Sequence, residues 1–231
     1  MKKTIKNIST LLLPVCFVIS VNSSAQDSHS SSPMPHIAPG LSVIPMNKIQ
    51  APGHIKRLFL RQSKEMKTRG YADATDDEVL GLDDDTLKKN KKNIKKFDEV
   101  VTDLAISPSD LNNGPFNRGR LIGAVKAGGH TDLGWTGITR FYTFPKLGLV
   151  KFDEIDLLAT GGGVTVAEEL INENINGSPA IFVVKQAVNG KTLTELAWFT
   201  QTKMFTLSTT KKMAKGDKFY VSLIDLANSI H

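Results

Sequence analysis

The chain has 231 residues, with 29 Lys plus Arg against 23 Asp plus Glu, a formal net charge of +6 and a single Cys. That length suits one core-forming domain of ordinary size with appendages. The lone Cys16 excludes an intramolecular disulfide framework and Cys-built metal centres.

Met1-Lys2-Lys3, the apolar run Leu11 to Val21 and Ser23-Ser24-Ala25 make the pattern of a secretory signal peptide over residues 1–25, with cleavage expected after Ala25. The run is too short to span a bilayer, which needs roughly 20 apolar residues. Leu13-Pro14-Val15-Cys16 departs from a lipoprotein site: Val15 stands where a small residue is wanted, and Phe17-Val18-Ile19 prolongs the run. The expected location is therefore periplasmic or secreted. Cleavage removes Lys2, Lys3 and Lys6, so Lys plus Arg falls from 29 to 26 against 23 acids and net charge from +6 to +3. Such a balance makes no case for nucleic acid, and secretion argues against it.

Residues 26–53 hold five Pro and a Ser cluster at 28–32, which predicts a flexible or extended leader. His29, Met34, His36 and Met46 lie in it at spacings too irregular for a copper site. Residues 54–107 read as a charged helical segment. Ile55, Leu58, Phe59 and Met66 share one helical face from His54 to Arg69, among Lys56, Arg57, Arg61, Lys64, Lys67 and Arg69. A basic amphipathic helix of this kind suits an anionic membrane surface, which Lys56, Arg57 and Arg61 would contact. Asp83-Asp84-Asp85 then precedes a Lys block, and a helix capped near Asp85 or Thr86 would bury Leu87, Ile94, Phe97, Val101 and Leu104. The consecutive acids lack the alternation and central Gly of an EF-hand.

Residues 108–231 predict an α+β domain: a curved antiparallel meander covered by a C-terminal helix, with the helical segment N-terminal to it. Leu121–Val125, Gly137–Phe144, Leu149–Leu158 and Ala180–Val188 have strand composition. Asn189-Gly190 predicts a tight hairpin into Leu193–Thr200. Met204–Ser208 adds a strand, and Phe219, Leu223, Leu226, Ala227 and Ile230 mark a terminal helix with Asp217 as its cap.

Gly161-Gly162-Gly163 lacks the further Gly of a dinucleotide loop and the Lys-Ser or Lys-Thr of a P-loop, so it reads as a connection or bulge. No Gly-x-Ser-x-Gly elbow occurs, and no second His accompanies His130 in the folded region, which argues against zinc and leaves single-His chemistry with Asp132 as the catalytic alternative. Asp153, Glu154, Asp156, Glu168 and Glu169 are carboxylates without a pattern that sets two across a cleft. Trp135, Phe141, Tyr142 and Phe144, flanked by Gly128-Gly129 and Gly134, form the candidate ligand-binding set.

Ile175-Asn176-Gly177, Leu196-Ala197-Trp198, Phe205-Thr206-Leu207-Ser208 and Leu226-Ala227-Asn228-Ser229-Ile230 carry a resemblance over residues 175–230. The stretch resembles a family of bacterial extracytoplasmic domains of unknown function found on anti-sigma-factor or lipoprotein-like chains. The resemblance implies a periplasmic half-barrel, a curved antiparallel sheet backed by helix, with no catalytic set. The 209–218 loop and the 161–163 glycines depart from that pattern. The expectation is thus a secreted or periplasmic binding or sensor module without catalysis or cofactor, taking a small apolar ligand or an envelope protein. An envelope-associated protein attached through the basic helix is the alternative, and a hydrolase using His130 comes third.

Overall fold

The computed structural model describes residues 39–79, 82, 92–159 and 161–230. The signal peptide, the leader before residue 39 and the acidic-to-basic stretch 83–91 lie outside these residues. Among the described residues, ten strands and four short-to-medium α-helices form a mixed, mostly sheet α+β fold. Strand β1 is Gly40–Ile44, followed by helix α1 (Gly53–Arg69), β2 (Ala72–Ala74), α2 (Asp76–Val79) and α3 (Phe97–Val101). Then come β3 (Arg120–Thr131), β4 (Gly134–Phe144), β5 (Gly148–Asp156), β6 (Gly163–Ala167), β7 (Glu173–Ile175), β8 (Ser178–Ala187), β9 (Thr192–Phe199), β10 (Lys203–Thr209) and α4 (Lys218–Asn228).

The main sheet runs β2-β8-β9-β10-β5-β4-β3, with β7 beside β8, and does not close into a barrel. All its pairs are antiparallel except β2 with β8. The strands expected from composition are present, because aromatic and β-branched residues fit a pleated, half-buried surface. The hairpin at Asn189-Gly190 is also present, in a different form. Ala187 N–H donates to Lys191 O at 2.9 Å, so the loop holds three residues, and only Gly190 takes a left-handed φ of 84°. A two-residue turn would need that conformation at Asn189 as well.

Register assigns each side chain to a face. Phe182, Leu196, Leu207, Phe152, Arg140 and Ala124 lie in one transverse row, and Ala180, Trp198, Phe205, Glu154 and Ile138 lie in the next row of the same face. Helix α4, with Leu223, Leu226 and Ala227, and Ile230 just beyond it cover the apolar part of this face, around stacked Phe152, Trp198 and Phe205 rings. Asp217 caps that helix as expected, accepting from Phe219 and Tyr220 N–H at 2.8 Å.

The sheet is covered on its second face too. There Ile155, Ile181, Phe199 and Met204 pack against Phe59 and Met66 of α1 and against Val164, Val166 and Leu170. Two segments read otherwise from sequence build this cover. Gly40–Ile44, within the expected leader, pairs in parallel with Gly163–Ala167, so the glycine-rich run opens a strand. Isolated, either five-residue strand is too short to hold itself; each is fixed by the other and by the core beneath.

The expected helix through residues 92–104 is mostly absent. Lys92 and Asn93 lie in a turn, Lys95 bridges Ala124 through two hydrogen bonds of 2.8 and 2.9 Å, and only Phe97–Val101 is helical. The open edge of β3 supplies the reason: its free N–H and C=O groups recruit the Lys95 backbone away from a helix. Gly123 permits that approach, since a Cβ there would stand 2.6 Å from Lys95 O.

Candidate functional site

A pocket of about 270 Å³ opens between α3, the loop 108–112 and strands β3 and β4. Its apolar walls include Phe97, Val101, Leu111, Leu121 and Tyr142, and Arg140 lines it from the sheet. Arg140 is 2% exposed. It occupies an alternate position in a strand whose other core-facing residues are Ile138, Tyr142 and Phe144, so β pleating alone carries its charge inward.

Glu154 meets that charge. Its register partners are Ile138 and Phe205, which makes Arg140 and Lys203 its diagonal neighbours on the two adjoining strands. Arg140 Nη2 donates to Glu154 Oε2 at 2.6 Å and Lys203 Nζ to Oε1 at 2.7 Å. Ser109 adds its N–H, at 3.0 Å from both oxygens, and its hydroxyl at 2.8 Å. The carboxylate is thus fully enclosed and heavily hydrogen-bonded, as a buried charge must be.

The same contacts fix the loop. Arg140 Nη1 donates to Ser109 O at 2.8 Å, and Lys203 Nζ to Ser107 O at 3.2 Å. Asp110 then accepts from Asn112 N–H at 2.9 Å in an Asx turn. The Arg140 guanidinium lies over the Phe97 and Phe152 rings, 5.4 and 5.1 Å from their centroids. Its Nε is buried and has no hydrogen-bond partner. Burial raises the Tyr142 hydroxyl above its ordinary pKa, against the opposing effect of Arg140.

The four expected ligand-binding aromatics do not form one cluster. Tyr142 lines the pocket, while Phe144 is buried with Phe116 and Tyr142 in the core. Phe141 is buried on the opposite face of the sheet, opposite Lys151 and Gly123. Trp135 is half-buried at the β3–β4 turn, its backbone bonded to Asp103 and Ala105 and its ring 5.3 Å from that of exposed His130. Consecutive Phe141 and Tyr142 must point apart in a strand, which composition alone does not convey.

The carboxylates also separate. Asp156 accepts from Leu158 and Ala159 N–H, Glu169 from Met46 N–H, and Asp153 from Thr139 Oγ1 at 2.6 Å. On that second face Lys151 pairs with Asp153 and Lys185 with Glu195. Burial pushes the Glu195 carboxyl up, beyond what Lys185 and Lys151 pull back. Burial lowers Lys151, but Asp153 and Glu195 outweigh it and the ammonium is held above its ordinary value.

In α1, Phe59 and Met66 face the core while Arg57, Arg61, Lys64 and Lys67 are exposed. Lys56 reaches Asn47 O at 3.4 Å, and Arg61 lies 3.8 Å from Glu65. Among the described residues, no His, Cys, Asp and Glu group could hold a metal ion, and no helix is long and apolar enough to cross a membrane.

Sequence reasoning missed Arg140, and weighed Ser109 only as a nucleophile rather than as a partner of Glu154. The signal was present: a charged residue inside an aromatic alternation, with Glu154 similarly placed two residues after Phe152, marks two buried charges in need of each other. Neither a family model, nor a curated protein, nor a solved structure matches the chain.

Proposed function

We infer that the protein is a secreted or periplasmic, non-catalytic binding or sensor module, and that its ligand occupies the pocket beside Arg140. The observation that carries this reading is the pairing of an apolar concavity with a buried cation held rigidly at its floor. Small-molecule sites have this composition, apolar walls around a few fixed polar groups. The polar groups around Arg140 bond one another and the loop, which suits holding a ligand more than transforming one. The resemblance of residues 175–230 to half-barrel extracytoplasmic domains agrees with a sensor role.

Native mass spectrometry of protein purified gently from its own host tests the reading. A small molecule bound to the wild type and lost from Leu121→Trp is the expected result, since Leu121 lines the pocket, is 37% exposed, and has room for a larger ring. A bound molecule retained unchanged by that variant would place binding elsewhere and overturn the site.

Envelope attachment through α1 is the second reading, favoured by the outward row Arg57, Arg61, Lys64 and Lys67. Because the apolar stripe of α1 is committed to the core, such attachment would rest on charge and weaken with salt. Flotation with anionic vesicles at low salt tests it: loss on changing Lys56, Arg57 and Arg61 to Glu is expected, and no wild-type flotation refutes it.

A further inference from the structure

Two turns are fixed by the core beneath them. In the single turn Pro115–Arg118, Phe116 is buried and Gly119 N–H donates to Phe116 O at 2.9 Å. Gly119 lets that turn settle on the Phe144 ring, since a Cβ there would stand 2.6 Å from it. The β4–β5 turn is held by buried Leu147, whose carbonyl accepts from Thr209 Oγ1 at 3.0 Å, and Pro145 fixes its own φ.

Between these turns and α4 lies a concavity of about 130 Å³, which shares no lining residue with the pocket beside Arg140. Its floor is buried Phe144, Leu147 and Leu226. Arg118 and Lys146 also line it, and both are exposed. Among the described residues, neither has a hydrogen bond, an ion pair or an aromatic ring to engage its charge. No Asp or Glu lines the space. Asp225, beside Leu226 in α4, is the acid next to the lining in the chain, and against it the two cations still leave one positive charge in excess.

Two unengaged cations set by rigid turns over one apolar floor are preorganised for an anion with a hydrocarbon body. The Arg118 guanidinium offers a planar fork of N–H donors that matches carboxylate or phosphate oxygens, and Lys146 adds a point charge. At about 30 Å³ per water-sized group, the space takes ~4 such groups, so a short apolar end fills it and the charged head stays at the rim beside the cations.

We propose that this concavity is a second ligand site, taking an anionic amphiphile whose apolar end rests on Phe144, Leu147 and Leu226 and whose head oxygens accept from Arg118 and Lys146. The assignment goes beyond the pocket beside Arg140 and does not depend on it.

Hexyl phosphate, 1-hexanol and inorganic phosphate are titrated into the intact protein while the backbone amide signals of Lys146, Leu147 and Ser222 are followed by NMR. Hexyl phosphate is expected to move all three and to bind at least about fivefold more tightly than either of the others. That ratio equals about 1 kcal/mol and is within reach of two exposed charge contacts. Raising salt should shrink the preference. Arg118→Glu/Lys146→Glu should abolish it and leave the affinity for the alcohol unchanged, because both side chains are exposed and hold no bond in the fold. Ser222→Trp, which fills the space from α4, should weaken both alkyl probes.

Equal affinities for hexyl phosphate and the alcohol, or a preference that survives the double charge reversal, would refute the anionic assignment. Inorganic phosphate binding as tightly as hexyl phosphate would reduce the site to a charge contact without a pocket and refute it too. So would binding of neither alkyl probe up to about 10 mM, beyond the weak end of the usual affinity scale, or alkyl affinities unmoved by Ser222→Trp.

Discussion

Glu154→Leu is the substitution whose consequence the structure specifies most sharply. It deletes the acceptor shared by Arg140 at 2.6 Å, Lys203 at 2.7 Å and the Ser109 N–H and hydroxyl. Lys203, with 24% of its side chain exposed, has a path to water. Arg140 does not, being 2% exposed and packed against two aromatic rings. The cost is therefore that of stranding one buried cation, about 3–5 kcal/mol. For a domain of this size that lowers Tm by roughly 6–20 °C, at about 2–4 °C per kcal/mol. The reverse substitution, Arg140→Met, is expected to cost less, since Glu154 keeps Lys203 and both Ser109 donors. The double variant Arg140→Met/Glu154→Leu should return most of the loss, because well-packed apolar residues replace a buried ion pair at little net cost. Urea unfolding of all four proteins gives the double-mutant cycle. A loss below about 1 kcal/mol for Glu154→Leu, well under that range, or Arg140→Met proving the more damaging single change, would refute the account of this cluster.

Two further outcomes concern titration and capping. Glu195 is raised by burial, so the native state holds its proton to higher pH than the unfolded chain does. Its contribution to stability is greatest below the ordinary carboxylate value of about 4.3 and falls as pH rises through the raised native value. Denaturation curves from acid to neutral pH should therefore show wild type losing stability relative to Glu195→Gln; parallel curves would mean the shift is absent. Asp217 is the opposite case. Slight desolvation raises it, but the Tyr220, Ala214 and Phe219 N–H donors prevail and lower it. Asp217→Ala should cost about 0.5–2 kcal/mol as a lost N-cap. That difference should be full above the ordinary value of about 3.9 and shrink as pH falls through the lowered native value. A pH-independent difference across that acid range would show that the carboxylate is not the cap.

Much of the secondary structure rests on local chemistry and was legible without a fold. Strands β4, β8, β9 and β10 follow from aromatic and β-branched content between breakers. Helix α4 follows from its apolar period and the Asp217 cap. Strands β1 and β6 were not legible, because five residues such as Gly40–Ile44 are neither strand nor leader until a partner pairs with them. Nor was the single turn of α3, where the edge of β3 competes for the Lys95 backbone.

The candidate site divides along the same line. Alternation in β4 and β5 already determines that Arg140 and Glu154 point the same way as Tyr142 and Phe152, since side chains in a strand alternate with period two. Sequence by itself thus settles that two charges are directed inward and that aromatic residues surround them. Only the tertiary structure decides that β10 lies beside β5 and brings Lys203 to Glu154, and that residues 107–109 fold over the pair. The pocket exists because α3, the 108–112 loop and two strands meet there, although α3 and β4 lie about forty residues apart in the chain. The physical reason is range: pleat, cap and propensity act within a few residues, while strand order and charge pairing depend on contacts that the chain makes only when folded.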